Sequence, residues 1–403
     1  MKTEERGAPA EDQEPAAERE RVRRGLRYCL WVFLGMRVGL SLLALAGVAL
    51  LPTLDPVGVP GWPAHETTQG WHNLVTAWER FDALWFLRIA DTGYVDGDGS
   101  AVFYPGFPLM VRLFSTMLGD HPLAGGLVVS HLATFGSFVL LYFLSAAEWG
   151  ERVARRSVLY LAVFPTSFFL LAPYSESLFL FMVLLALWAA RRGKWELAGI
   201  SGIGASATRN IGVLLVLPLL IEAVQRFRER RDGSELARGL LWSFLAAGGA
   251  VAYLIFWQQL AGDPLAPVRQ QANWLRELTF PLETIFLGTR EAFRFIGIYP
   301  GGYHVLDWLI VVPALAGAVW VVLRARPVYA VYTVASLLAP LFFAFVPRPF
   351  MSIPRFLLPL FPLLWGIAVW AERRKGVHEV YLAASGALLG VMLLLFVNWY
   401  YVF

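Results

Sequence analysis

One cysteine, three lysines and a charged fraction of only 16% are the scarcities that bound this 403-residue chain. The lone Cys29 excludes an internal disulfide and any cysteine-cluster metal site. It lies in an apolar run and reads as small core filler. Ordinary soluble chains carry roughly 25% charged residues. This chain cannot supply the polar coat that a soluble fold of its length requires. With 57% apolar residues and a mean hydropathy of +0.56, it is not a disordered chain either. The formal net charge of +4 gives no reason to expect a nucleic-acid partner in so apolar a sequence. His72, His121, His131 and His304 lack metal-ligand spacing and no H-E-x-x-H occurs, so no metal site is expected. No internal repeat is apparent, which weighs against a secondary transporter built from repeated halves.

What the chain does have is long apolar runs. A helix needs about 20 apolar residues to cross a hydrocarbon core of roughly 30 Å. Candidate spans lie at 28–51, 122–147, 157–173, 175–190, 239–260, 305–323, 328–346, 356–371 and 379–399. The stretch 197–224 has basic clusters at both ends, and it predicts a helical hairpin turning near Ala207-Thr208-Arg209-Asn210. The expected architecture is an all-α polytopic bundle of about 11 transmembrane helices. The first apolar run is too long for the core of a cleavable signal peptide.

Cations orient such a bundle. Residues 1–27 and segments 148–157, 191–196, 225–238, 324–327 and 372–376 hold 23 of the 34 Lys and Arg, including every lysine. Those segments are expected on the inner side, with the N-terminus cytoplasmic. Residues 1–24 read as a disordered cytoplasmic tail, and 25–403 as one integral membrane domain. Two long outer loops, 52–121 and 261–304, are expected to carry amphipathic helices and function. Trp62, Trp71, Trp78 and Trp85 suit a surface at the lipid headgroups.

The first outer loop contains Trp78-Glu79-Arg80-Phe81-Asp82-Ala83-Leu84-Trp85 and continues through Arg88 to Tyr94. Asp82 sits among aromatics in an amphipathic stretch, where exclusion of water suits a carboxylate to general-base work. It serves equally as a helix N-cap or as the partner of Arg80 or Arg88. Phe103-Tyr104-Pro105-Gly106-Phe107-Pro108 forms either a rigid apolar wall for a lipid chain or sugar, or a re-entry into the membrane. Tyr174-Ser175-Glu176-Ser177 falls at a short junction between spans. Glu176 there calls for a partner or a function, and Tyr174 and Ser175 either bind sugar hydroxyls or cap the next helix. Arg209, at the hairpin tip, needs an anion: a phosphate, or Glu176 or Asp82. Arg355 begins a late span and could face the same phosphate; arginine forks suit that role better than lysines do. Asp96-Gly97-Asp98 reads as an exposed turn rather than a metal-holding D-x-D.

Taken in order, the segments Trp78–Tyr94, Phe103–Pro108, Tyr174–Ser177, Ala207–Gly212 and Ser352–Pro359 resemble the PIG-V-like mannosyltransferases. The resemblance implies a GT-C glycosyltransferase fold and a polyprenyl-phosphate sugar donor, with no other cofactor. It implies an acid in the first outer loop, which would be Asp82. The expected reaction is inverting transfer of a sugar, mannose by resemblance, to a hydroxyl of a glycan, glycolipid or protein at the outer membrane face. In that reading Asp82 is catalytic, while Arg209, Arg355, Glu176, Tyr174, Ser175, Arg88 and Ser352 bind substrate. Composition gives the chain a prokaryotic cast. A lipid or sugar flippase without catalysis is the alternative from another class.

Overall fold

The computed structural model describes residues 10–62 and 70–402. Most of them are helical. Among the described residues, six helices are long and apolar enough to cross a membrane: Glu18–Leu50, Pro122–Trp149, Asn210–Arg230, Gly233–Ala261, Gly302–Arg324 and Val377–Val397. The other five of the eleven expected crossings are helices of only 12–16 residues: Glu151–Ala162, Ser175–Ala190, Trp195–Thr208, Pro327–Leu341 and Pro362–Arg373. A 12-residue helix rises about 18 Å, short of the hydrocarbon core. The expected spans 157–173 and 356–371 are therefore not single crossing helices. Proline breaks both: Pro165 follows closely on the first helix, and Pro359 and Pro362 interrupt the second.

The helix Ala10–Leu50 takes in residues 10–24, which the sequence pattern assigned to a disordered tail. Its Glu20 and Arg24 approach to 4.0 Å one turn apart, an arrangement that supports an exposed helix. Residues 1–9 of that tail lie outside the described residues.

The hairpin is present. Trp195–Thr208 descends to Arg209, and the chain returns through a 3₁₀ segment, Asn210–Leu215, into Val216–Arg230. Two glycines let other helices close on its tip. A Cβ on Gly106 would stand 2.5 Å from Thr208 Oγ1 and 2.9 Å from the Ala207 carbonyl carbon. One on Gly249 would stand 2.2 Å from the Ile203 carbonyl oxygen. The loop 52–121 and the helix Gly248–Ala261 are thus clamped against the turn that carries Arg209.

The expectation of an all-α chain needs one correction. Strand β1, Arg276–Leu278, pairs antiparallel with β2, Phe343–Phe345, in the register Arg276 to Phe345 and Leu278 to Phe343. Strands of three residues are too short to leave a periodic signal. This pairing joins the loop 261–304 to the loop after the helix Pro327–Leu341.

The loop 52–121 carries the expected amphipathic helices, Asp82–Thr92 and Gly106–Met117. It folds onto the bundle rather than lying at the lipid surface: Trp78 and Trp85 are buried, and Trp71 is the strongly exposed one of the four expected headgroup tryptophans. The apolar side chains of Asp82–Thr92 enter the protein core, whereas Gly106–Met117 buries Phe107 and Val111 and leaves Leu109, Leu113 and Met117 exposed.

Candidate active site

A cavity of about 690 Å³ opens where the loops 52–121 and 261–304, the hairpin tip and the loop before Ile353–Phe356 converge. Asp82, Tyr174, Ser175, Arg209, Ser352 and Arg355 all line it, so six sequence-predicted residues from four distant segments share one space. Glu176 is buried behind them.

Asp82 begins its helix, and the residue before it, Phe81, adopts φ 52 and ψ −118. A bulky residue held there is strained and needs surrounding structure to keep it. That structure is an aromatic cage: the Phe81 ring meets Phe396, Trp399 and Tyr401 with centroids 5.3–5.8 Å apart. The C-terminal end of the chain thus aims Asp82 into the cavity.

Asp82 Oδ2 accepts from Arg355 Nη1 at 2.6 Å. The Nε of Arg355 lies 3.0 Å from Glu176 Oε1. Arg209 Nη1 donates to the same Glu176 oxygen at 2.5 Å and to Ser175 Oγ at 3.2 Å. Glu176 is therefore shared by two guanidiniums, and Arg355 bridges the two acids. Burial alone would lower the pKa of Arg355, but Asp82 and Glu176 overcome it and hold the group above the ordinary arginine range. Arg209 is ion-paired with Glu176, one of the anions expected for it. The Phe356 ring lies under three cations: Arg209, Arg355 and Arg276 stand 4.9, 5.5 and 5.7 Å from its centroid. Its negative face offsets part of their mutual repulsion.

Tyr174 lines the cavity, yet its hydroxyl donates to the Arg80 carbonyl at 2.9 Å, which fixes the loop ahead of Asp82. Its side chain makes no helix-capping hydrogen bond. Arg88 is the expected residue that the fold does not bring to the cavity. It is buried in a short ion pair with Asp98 and lies over the Trp85 ring. Asp98 also accepts from the Ser100 amide at 2.8 Å, so half of the D-x-D is engaged in tying a turn. Among the described residues no group of three or more His, Cys, Asp or Glu could hold a metal ion. Arg348, next to the cavity loop, is buried against Asp307 at 2.6 and 2.8 Å and forms a structural pair with it.

Sequence reasoning missed Arg276 and Tyr401. Arg276 lies on β1; its Nη2 donates to Ser352 Oγ at 2.8 Å and its Nη1 to the Phe343 carbonyl at 3.2 Å. Burial, with like-charged Arg355 nearby, pulls its pKa down to about 10, which leaves it cationic at neutral pH. Burial and Asp82 push the Tyr401 hydroxyl up. An arginine in a lysine-free loop was the available signal for Arg276. Ser352, its acceptor, holds a left-handed φ of 66, which bends the loop so that Ser352 meets Arg276 and Arg355 meets Asp82.

Three arginines and two carboxylates leave this site one positive charge in excess. Such a cavity attracts an anion, offers a carboxylate to a hydroxyl, and is walled by aromatics such as Phe103 and Tyr104.

Residues 53–216 match the family model described as mannosyltransferase (PIG-V). GPI alpha-1,6-mannosyltransferase 2 of Rattus norvegicus is 32% identical over 149 residues, which is 34% of this chain and 30% of the rat protein. The Mus musculus protein of the same name is 30% identical over 175 residues, 40% of this chain and 34% of its own length. The chain thus spans about a third of the length of these curated relatives. They are mammalian, and the prokaryotic cast read from composition finds no support in them. ArnT from Cupriavidus metallidurans, solved with undecaprenyl phosphate, aligns at a TM-score of 0.47 and 13% identity, covering 93% of this chain and 76% of its own. An oligosaccharyltransferase from Archaeoglobus fulgidus aligns at a TM-score of 0.43 and 11% identity, covering 89% and 53%.

Proposed function

We propose that this chain, PIG-V-like over residues 53–216, is a membrane mannosyltransferase of GT-C type that uses a polyprenyl-phosphate sugar donor. The observation that carries the reading is the approach of Asp82 and Arg355 to 2.6 Å in a cavity with excess positive charge. The positive-inside bias of the sequence supports a cavity on the outer face.

The donor is a phosphodiester with one negative charge, which the excess cation of the cavity complements. The acceptor hydroxyl enters beside Asp82. Its oxygen attacks the anomeric carbon and forms the new glycosidic bond, while the bond from that carbon to the phosphate oxygen breaks. The hydroxyl proton passes to Asp82, and the electron pair leaves on the lipid phosphate. One displacement inverts the anomeric centre. Arg355 holds the Asp82 carboxylate in place, and Arg209 and Arg355 stabilise the charge that grows on the departing phosphate. Ser175 steadies Arg209, and Glu176 keeps the two guanidiniums together at the cavity wall. A phosphate leaves without a proton, so the paired-acid scheme of glycoside hydrolysis is not needed.

Purified protein incubated with polyprenyl-phosphate mannose and glycan, glycolipid and peptide acceptors should yield a mannosylated product detectable by mass. Asp82→Asn keeps the shape and removes the base, and should lower transfer by roughly 10²- to 10⁴-fold. Movement of labelled lipid across vesicles with no new glycosidic bond would replace this reading with the flippase. Near-normal transfer by the variant would remove Asp82 from the role of base.

A further inference from the structure

The three cavity arginines are not equivalent. Arg209 and Arg355 each have a carboxylate at hydrogen-bond or ion-pair distance. Arg276 has none among the described residues; its partners are two neutral oxygens, Ser352 Oγ and the Phe343 carbonyl. A guanidinium carries five N–H donors, so three remain for a ligand. A mostly enclosed cation with only neutral partners is costly, and an anion relieves that cost.

The group is also preorganised. Its backbone belongs to the β1–β2 pair, its fork is aligned by Ser352, and its plane lies near the Phe356 ring. Little side-chain freedom remains to be lost on binding.

The surroundings then define the ligand. On one side of Arg276 the cavity holds Asp82, Arg355 and Arg209. At its rim stand Leu275, Leu278, Phe342 and Phe343, large apolar side chains that are 61%, 74%, 38% and 42% exposed. Exposed apolar groups of this kind, continuous with a cavity in a membrane protein, face a lipid chain. An anionic head at the cation and a hydrocarbon tail across this rim fit one class of molecule, a long-chain lipid phosphate.

We infer that Arg276, aligned by Ser352, is the direct seat of the phosphate of a prenyl-phosphate donor, whose chain leaves across the rim formed by Leu275, Leu278, Phe342 and Phe343. The inference rests on the donor class proposed above. It assigns first contact to the unpaired arginine, while Arg209 and Arg355 act across a longer distance and keep their carboxylates.

The test is binding to the full chain in lipid nanodiscs, with undecaprenyl phosphate, undecaprenol and inorganic phosphate as probes. The wild type should prefer undecaprenyl phosphate to undecaprenol by about 10- to 100-fold, as expected for charge-assisted hydrogen bonds. Arg276→Gln should bring the two lipids within about threefold of each other while leaving undecaprenol affinity unchanged. Ser352→Ala should weaken only the phosphate-bearing lipid, by about three- to fivefold, since the fork loses its alignment. Inorganic phosphate in excess should compete with undecaprenyl phosphate on the wild type and not on Arg276→Gln, which separates recognition of the head from recognition of the tail.

If Arg276→Gln does not fold, Arg276→Lys decides: a point charge cannot keep both the Ser352 bond and a bidentate phosphate contact, and phosphate preference should drop about tenfold. The assignment is overturned if either variant keeps full preference, or if undecaprenol binding falls in parallel, which would make Arg276 structural. Mannosyl transfer by the wild type is measured alongside. Transfer with unaltered binding in the variants rejects the seat and keeps the enzyme. Arg276-dependent binding without any transfer keeps the seat and rejects the enzyme.

Discussion

The helical hairpin carries an arginine–carboxylate cluster at each end, and the two are built differently. At its base, Arg191 bonds Glu148 and Glu222 at 2.8 and 3.0 Å. Arg226 bonds Glu235 at 2.6 Å, with Arg230 at 3.8 Å from the same acid. Arg326 approaches Glu222 and Glu229 at 3.9 and 3.6 Å. Four arginines meet four glutamates, and the Tyr329 hydroxyl adds a hydrogen bond to Glu148 at 2.9 Å. At the tip, three arginines meet two acids around an open cavity. Residue types are alike; charge balance and empty space are not. A matched, packed cluster locks helices together. An unmatched one beside a cavity waits for an anion.

The sharpest way to break this comparison is at the base. Glu222 is fully buried, and Glu222→Ala removes a partner from both Arg191 and Arg326. We expect a loss of roughly 3 kcal/mol, the low end for a broken buried pair because Arg191 keeps Glu148. Unfolding in detergent micelles measures it, and added inorganic phosphate should restore nothing, because arginines and glutamates are matched there. Recovery with phosphate would make the base a second anion site.

Next in size is the tip. Arg209→Lys keeps the charge but replaces the planar guanidinium, whose Nη1 reaches both Glu176 and Ser175, with a point charge that leaves no second nitrogen for a phosphate. Mannosyl transfer should fall about 10- to 100-fold, corresponding to one or two charge-assisted hydrogen bonds, with a smaller change in thermal stability than for Glu222→Ala. The reverse order of stabilities would show that the tip is as structural as the base.

Packing around the tip can be probed without touching a charge. Gly106→Ala places a methyl 2.5 Å from Thr208 Oγ1. The expected cost is about 1–3 kcal/mol of overpacking, accompanied by reduced transfer as Arg209 shifts. Full activity together with lowered stability would uncouple the clamp from the site.

The smallest effect should come from Arg112→Gln. Its partner Asp91 is 3.7 Å away and both side chains are about half exposed. Such pairs contribute little, and stability and transfer should stay within experimental error of the wild type.

Much of this site could be read from residues alone, because each signal was local. Asp82 stood out as an acid among aromatics. Arg209 and Glu176 stood out as charges at the ends of apolar helices, where the cost of burial demands a partner. The hairpin was legible because cations flank both its ends. Arg276 carried only the weak signal of an arginine in a lysine-free loop. Its importance comes from Phe343 and Ser352, 67 and 76 residues away. Arg88 misled for the same reason: nothing in its own segment distinguishes a substrate contact from a clamp on Asp98.

Composition and the spacing of apolar runs by themselves decided that this chain is a helical membrane protein and where its long helices fall, because burial in hydrocarbon is decided residue by residue along a continuous run. They also decided which acids and arginines had to find partners. Which cation went with which acid, and which was left over, was decided only when the three-residue strands paired and the aromatic C-terminal end closed over Phe81. Those contacts join residues far apart in the chain, and their energy exists only once the intervening helices have packed.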